Sequence, residues 1–225
     1  MTETRTIPLF PLGVIVLPGM PLPLHIFEDR YKLMISECIE KDRPFGIVLF
    51  DGQYLRTVGC MARVTQVVKR YEDGRMDIMT RGEQRFIIQK VITEKPYMEA
   101  YVNFFEDVDK TPFDDLQPLL ENARDLLKEL SKLDQFMEDI YLLAQSSPLK
   151  LSFAIAALEG FSIAERQRFL EMTSTVERIK KGVQVLSIIV QRSRLTNEIR
   201  AIIGGNGNPP KQLIELLSPK IQDRS

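Results

Sequence analysis

Apolar positions recur along the chain with two different periods, and the change of period divides it. Up to about residue 106 they come in short runs broken by Pro, Gly and charged residues, as buried strands do. Residues 7–10, 14–17 and 45–50 are such runs. Residues 58–70 and 75–80 flank Tyr71-Glu72-Asp73-Gly74, where glycine accepts the positive φ that a hairpin turn needs. Residues 84–92 and 97–105 follow. A set of about six short strands predicts a small closed or half-closed barrel. One helical period interrupts it over residues 28–41: Tyr31, Met34, Ile35, Cys38 and Ile39 fall at i, i+3, i+4, i+7 and i+8. Glu28 suits the positive end of that helix, Pro44 stops it, and its apolar face predicts a cap or plug for the barrel.

Between residues 106 and 118 the pattern turns polar, with Asp107, Asp109, Lys110, Pro112, Asp114 and Asp115, and a domain boundary is expected there. Beyond it the period is helical throughout. Leu119, Leu120, Ala123, Leu126, Leu127 and Leu130 form one face of a helix over 116–140. Ser147 caps the next, with Pro148 in its first turn and Gly160 at its end. Ser162 and Glu165 form a capping box. Val176, Ile179, Val183, Leu186 and Val190 line the last and longest helix, a seam of about two heptads that reads as core rather than as a coiled-coil dimer. The stretch from Gly204 to Pro210 is rich in Gly, Asn and Pro and predicts a flexible tail. The expected architecture is α+β: a barrel with one inserted helix in residues 1–106, a helical bundle in 116–203, and a tail in 204–225.

Composition removes several functions. Thirty basic and 31 acidic residues leave a formal net charge of −1, interspersed, so the global balance gives no case for binding nucleic acid or an anionic membrane. A local basic rim of Lys69, Arg70, Arg81 and Arg85 is conceivable, but a solvated barrel edge accounts for it. Cys38 and Cys60 stand among apolar residues as buried thiols, which accords with a cytoplasmic protein. With His25 the single histidine, no standard zinc site is available. The apolar stretch 7–27 is interrupted by Pro8, Pro11, Pro18, Pro21 and Pro23 and cannot form a continuous membrane helix.

Motifs that mimic catalysis are incomplete. Ser147-Pro148-Leu149-Lys150 matches S-x-x-K without its S-D-N and K-T-G companions. Gly160-Phe161-Ser162-Ile163-Ala164 lacks the second glycine of a nucleophile elbow and lies between two helices. The glycines after residue 203 carry no G-K-[ST]. Neither a cofactor nor a metal is expected.

Five segments, in order, carry a resemblance. Ile7-Pro8-Leu9-Phe10-Pro11-Leu12 leads to Val16-Leu17-Pro18-Gly19-Met20-Pro21-Leu22-Pro23-Leu24-His25-Ile26-Phe27-Glu28-Asp29-Arg30-Tyr31. Then come Val58-Gly59-Cys60-Met61-Ala62-Arg63-Val64, Asp73-Gly74-Arg75 with Thr80-Arg81-Gly82-Glu83-Gln84-Arg85-Phe86, and Pro96-Tyr97-Met98-Glu99-Ala100. This string resembles the N-terminal, substrate-recognition domain of Lon proteases, strongly over residues 7–105 and more loosely to about 201. The resemblance implies a PUA-like β pseudo-barrel followed by helices, without catalysis. It further implies a stand-alone form, since these 225 residues contain neither a nucleotide-binding G-K-[ST] nor a P-S-A-G nucleophile loop.

The function so implied is the binding of unfolded or hydrophobic polypeptide segments, held between barrel and bundle. An adaptor role in protein quality control beside an ATP-dependent protease or chaperone would fit, with the chain a monomer or a homodimer. Pro18, Met20, Pro21, Leu22, Phe27 and Tyr31 are the candidate contact residues, because Met and Pro in an apolar loop suit an adaptable surface. The same residues have structural readings: Met20 and Leu22 as core, Phe27 and Tyr31 as a pair on one helix face. A nucleic-acid or small-molecule site, by analogy with other PUA-like folds, is the alternative.

Overall fold

A computed structural model describes residues 4–109, 116–133 and 147–204. Six strands and five helices are found among them. The strands are β1 (Arg5–Leu12), β2 (Pro21–Ile26), β3 (Phe45–Phe50), β4 (Leu55–Arg70), β5 (Met76–Ile92) and β6 (Glu99–Phe104). The helices are α1 (Asp29–Glu40), between β2 and β3, then α2 (Gln117–Leu133), α3 (Pro148–Ala157), α4 (Ile163–Glu171) and α5 (Thr175–Gly204). The fold is α+β. Residues 110–115, the expected end of the first long helix at 134–140, and the tail beyond residue 204 fall outside the described residues.

Five strands close into a ring. β1 pairs with β3 in parallel; β3 with β4, β4 with β5, β5 with β6 and β6 with β1 pair antiparallel. Alternate residues of every ring strand, Ile7, Leu9, Val48, Met61, Phe86, Ala100 and Val102, meet in one apolar cluster. The opposite set, with Phe10, Phe45, Ile47, Cys60 and Ala62, joins Tyr31, Met34, Ile35 and Cys38 of α1, which packs against the sheet. That follows from strand geometry, since neighbouring side chains leave a strand on opposite faces. Past the end of the helix Asp42 has a φ of 43°, a left-handed closure that Asp tolerates; the Arg43 N–H returns to the Cys38 carbonyl at 2.9 Å.

Two strand expectations fail informatively. Residues 14–17 form no strand. The strand lies at β2, in spite of Pro21 and Pro23, which are tolerated because β2 pairs with β5 alone and is an edge. Nor is the chain broken between residues 80 and 84: β5 runs unbroken from Met76 to Ile92 and serves β2 and β4 with its first half, β4 and β6 with its second. Gly82, which reads as a break in sequence, is a crossing point. Its N–H donates to Met20 O at 2.9 Å and its carbonyl accepts from Gly19 N–H at 2.8 Å.

In the helical half, α3 is central and buried on nearly every side, with α5 and α4 against it. α2 lies along α5. The seam residues Val176, Ile179, Leu186 and Val190 of α5 are buried in the same apolar cluster as Leu120, Ala123, Leu127 and Leu130 of α2. The caps stand as the spacing predicts: the Ser147 hydroxyl accepts the Lys150 N–H, and Ser162 with Glu165 makes the reciprocal capping box. No described helix is long and apolar enough to cross a membrane.

Candidate functional site

Where β2 hands over to α1, the chain leaves an apolar groove of about 510 Å³ on the outside of the sheet. Its floor is Phe10, Ile26 and Tyr31, and its rims carry Phe27, Phe50 and Leu55. Tyr31 is placed by the first turn of α1, where Asp29 favours the helix start. Its ring lies 4.1 Å from that of Phe10, centroid to centroid, and 4.6 Å from the Arg30 guanidinium carbon. Burial pushes the Tyr31 hydroxyl pKa up, against the pull of Arg30. Arg30 in turn donates from Nε to Glu28 at 2.9 Å. The groove is therefore aromatic within, with a neutralised ion pair at its edge.

The rims are exposed. Phe27 is 59% accessible and Phe50 41%. Large apolar side chains that cluster around one recess, rather than lying scattered, mark an interaction surface.

The six sequence candidates separate. Phe27 and Tyr31 both line the groove, but not as a pair on one helix face: Phe27 precedes the helix and stacks on His25, at 6.0 Å between ring centroids, while Tyr31 turns inward to Phe10. Met20 is 4% exposed and belongs to the core, and Leu22 packs against that core from β2. Pro21 is exposed at the start of β2. Pro18 sits elsewhere, bridging to Gly82. Phe10, Phe50 and Leu55 were not foreseen. They come from three strands distant in sequence, β1, β3 and β4, and only the pairing of those strands brings them together.

A second recess, about 680 Å³, does lie where the sheet meets the helices, bounded by Pro18, Arg85, Phe105, Asp107, Phe153 and Thr175. Its wall combines an ion cluster with the apolar side chains of Phe105, Leu149 and Phe153. Asp107 Oδ1 accepts from Arg85 Nη2 at 2.5 Å and from Arg178 Nη1 at 3.0 Å; Oδ2 takes Arg178 Nη2 and the Thr175 hydroxyl. Both guanidiniums also donate to the Met172 carbonyl, and Arg85 to Leu170 O, at the negative end of α4. The Phe153 ring lies 4.3 Å from the Arg178 guanidinium carbon. Burial raises the Asp107 pKa, but the hydrogen bonds from Arg178 and Thr175 and the two positive charges outweigh it, so the carboxyl titrates below its usual range. Arg85 is thus no part of a basic rim. Asp107 and Asp109 are not loose linker residues either: Asp109 accepts from the Ser174 hydroxyl and from the N–H of Thr175 and Val176, capping α5.

Catalytic fragments stay apart. His25 Nδ1 lies 2.6 Å from Asp77 Oδ1 on the sheet, while Ser147 and Ser162 are helix caps in the other half. Cys60 is fully buried, and burial pushes its thiol up to about 12, so it is no thiolate nucleophile. Among the described residues no three His, Cys, Asp or Glu side chains gather to hold a metal.

The described residues thus form an α+β fold, a ring-closed sheet with a helical half. A family profile described as the ATP-dependent protease La (LON) substrate-binding domain matches residues 6–188, and the chain belongs to this family. Membership in it supports a non-catalytic substrate-recognition module. Among curated relatives, Lon protease 2 of Myxococcus xanthus is 25% identical over 218 residues, covering 89% of this chain and 26% of that protein. Lon protease of Flavobacterium johnsoniae is 23% identical over 220 residues, 87% and 26% respectively. The chain therefore spans about a quarter of the length of these relatives. The crystal structure of a Lon N-terminal domain protein from Xanthomonas campestris shares the fold with a TM-score of 0.61, covering 79% of this chain and 96% of that one at 21% identity. The N-terminal domain of Mycobacterium avium complex Lon protease gives 0.66, 81% and 98% at 20% identity.

Proposed function

We propose that this chain binds apolar stretches of other polypeptides in the groove beside the start of α1, without altering them chemically, and that it serves as an adaptor between such clients and an ATP-dependent protease. One observation carries the reading: a recess floored by Phe10, Ile26 and Tyr31 and rimmed by the exposed rings of Phe27 and Phe50. Burying those rings against a partner's apolar side chains would return the transfer free energy that their exposure withholds. The family's description as a substrate-binding domain points the same way. The recess at the ion cluster is the weaker candidate, since Arg85, Asp107 and Thr175 already satisfy one another there.

The test is Phe27→Ser in the full chain. A reduced, alkylated lactalbumin that stays unfolded serves as client, with binding followed by fluorescence anisotropy. Because Phe27 is mostly exposed, the melting temperature should stay within a degree or two, while affinity falls by about tenfold, as for an interface anchor. Undiminished binding would remove the groove from consideration.

A further inference from the structure

Phe27 occupies the two-residue connection between Ile26, the last residue of β2, and Asp29, the first of α1. An aromatic ring at such a place, more than half exposed, has no core to hold it. What holds it is a chain of side chains leading back to the β4–β5 hairpin. His25 lies against the Phe27 ring with the planes 20° apart. Its own ring is fixed on two sides. Nδ1 meets Asp77 Oδ1 at 2.6 Å, and the edge of Tyr71 stands 5.9 Å away at 83°. The Tyr71 hydroxyl donates to the other oxygen of Asp77 at 2.7 Å. Tyr71 is flanked in turn by Lys69 Nζ, 4.4 Å from its centroid, and by the Arg75 guanidinium carbon at 4.9 Å. His25 and Asp77 are direct cross-strand partners in the β2–β5 ladder, which is what brings the two side chains together.

We propose that His25, Asp77 and Tyr71 form a clamp that sets the orientation of the Phe27 ring at the groove's mouth, making His25 a positioning residue for client binding. The proposal deepens the polypeptide-binding reading and rests on it. Stability does not explain the clamp: the His25 and Asp77 side chains are 44% and 34% exposed, and a polar contact so placed contributes little to folding. Holding a contact ring in place before the partner arrives, in contrast, removes an ordering cost from the binding step.

Two measurements on the full chain decide it. The first needs no partner: the ring resonances of ¹³C-labelled Phe27 should move toward free-phenylalanine values in His25→Ala and Asp77→Ala, and stay near wild type in His25→Phe, which keeps the stack. The second uses reduced, alkylated lactalbumin. His25→Ala should weaken binding by roughly two- to tenfold, the worth of one aromatic pair, His25→Phe should recover most of it, and His25→Ala combined with Phe27→Ala should bind no worse than Phe27→Ala alone. Unchanged Phe27 resonances in His25→Ala overturn the clamp. So do losses that multiply in the double variant. If Phe27→Ala binds as wild type while its resonances in the parent still respond to His25→Ala, the groove reading fails instead, and the clamp loses its role in binding but not its geometry.

Discussion

A Cβ placed on Gly82 would sit 2.1 Å from the carbonyl oxygen of Leu17 and 2.8 Å from its carbon. Both obstacles are backbone, and neither can turn away as a side-chain tip could. At this one residue the segment 17–20 crosses β5 closely enough for Gly82 to exchange hydrogen bonds with Gly19 and Met20. Gly82→Ala should therefore destabilise the fold by about 1–3 kcal/mol, the usual cost of overpacking, with the upper end expected because the chain must part to admit a methyl group. Urea denaturation measures it; a loss below half a kcal/mol would mean the crossing is slack. Nothing local in Arg81-Gly82-Glu83 marks this. A glycine inside a strand pattern signals either a break or a close approach, and the sequence alone favours the break. Met20 is the same lesson at the candidate site: its Pro- and Gly-flanked setting reads as an exposed loop, yet the crossing at Gly82 folds its side chain into the core.

Elements whose signals lie within four residues were legible, and those that depend on a neighbour were not. Tyr31, Met34, Ile35 and Cys38 identify α1 because helix neighbours are sequence neighbours. The same holds for the cap of α4. Glu165 returns its carboxylate to the Ser162 N–H and hydroxyl, and those bonds hold its pKa below the ordinary range. Ser162→Ala removes the acceptor for the Glu165 N–H and should cost about 1 kcal/mol, read as a drop of a few degrees in melting temperature, while Ser162→Gly should cost only a few tenths. Equal losses in the two variants would assign Ser162 a role other than capping. By contrast, β2 carries prolines at alternate positions and reads as irregular. It is a strand only because β5 presents a ladder from Met76 to Arg81 for it to join. The groove shares that origin, since its aromatic residues are gathered from β1, β3, the β2–α1 connection and α1. Of the set, Phe27 and Tyr31 could be singled out by motif and Phe10 and Phe50 could not.

At the scale of the molecule, the question is what fixes the helical half against the sheet. Asp107 is one answer, pairing with Arg85 of β5, 22 residues before it, and with Arg178 of α5, 71 residues after it. That separation explains why the stretch around it reads as a polar boundary, since an ion pair so distant leaves no local trace. The Arg178 side chain is fully buried and that of Asp107 13% exposed, so neither guanidinium can turn to bulk water if the carboxylate is removed. Asp107→Asn leaves two cations facing each other with only neutral partners, the Leu170 and Met172 carbonyls and the Ser152 and Thr175 hydroxyls, and removing one member of a buried pair costs about 3–5 kcal/mol. The pH dependence has a definite sign. Because the folded carboxyl is held below its unfolded value, its contribution is complete above the unfolded range near pH 4 and is lost as pH falls through the lower folded value. The stability gap between wild type and Asp107→Asn in urea titrations should thus be full at pH 7 and shrink below about pH 4, as protonation brings the wild-type side chain to the same neutral state. A gap that stays constant to pH 3 would show that asparagine harms packing rather than charge, and would leave the joining of the two halves to their apolar contacts and to neutral-acceptor bonds such as Gln167 Nε2 to Val58 O at 3.1 Å.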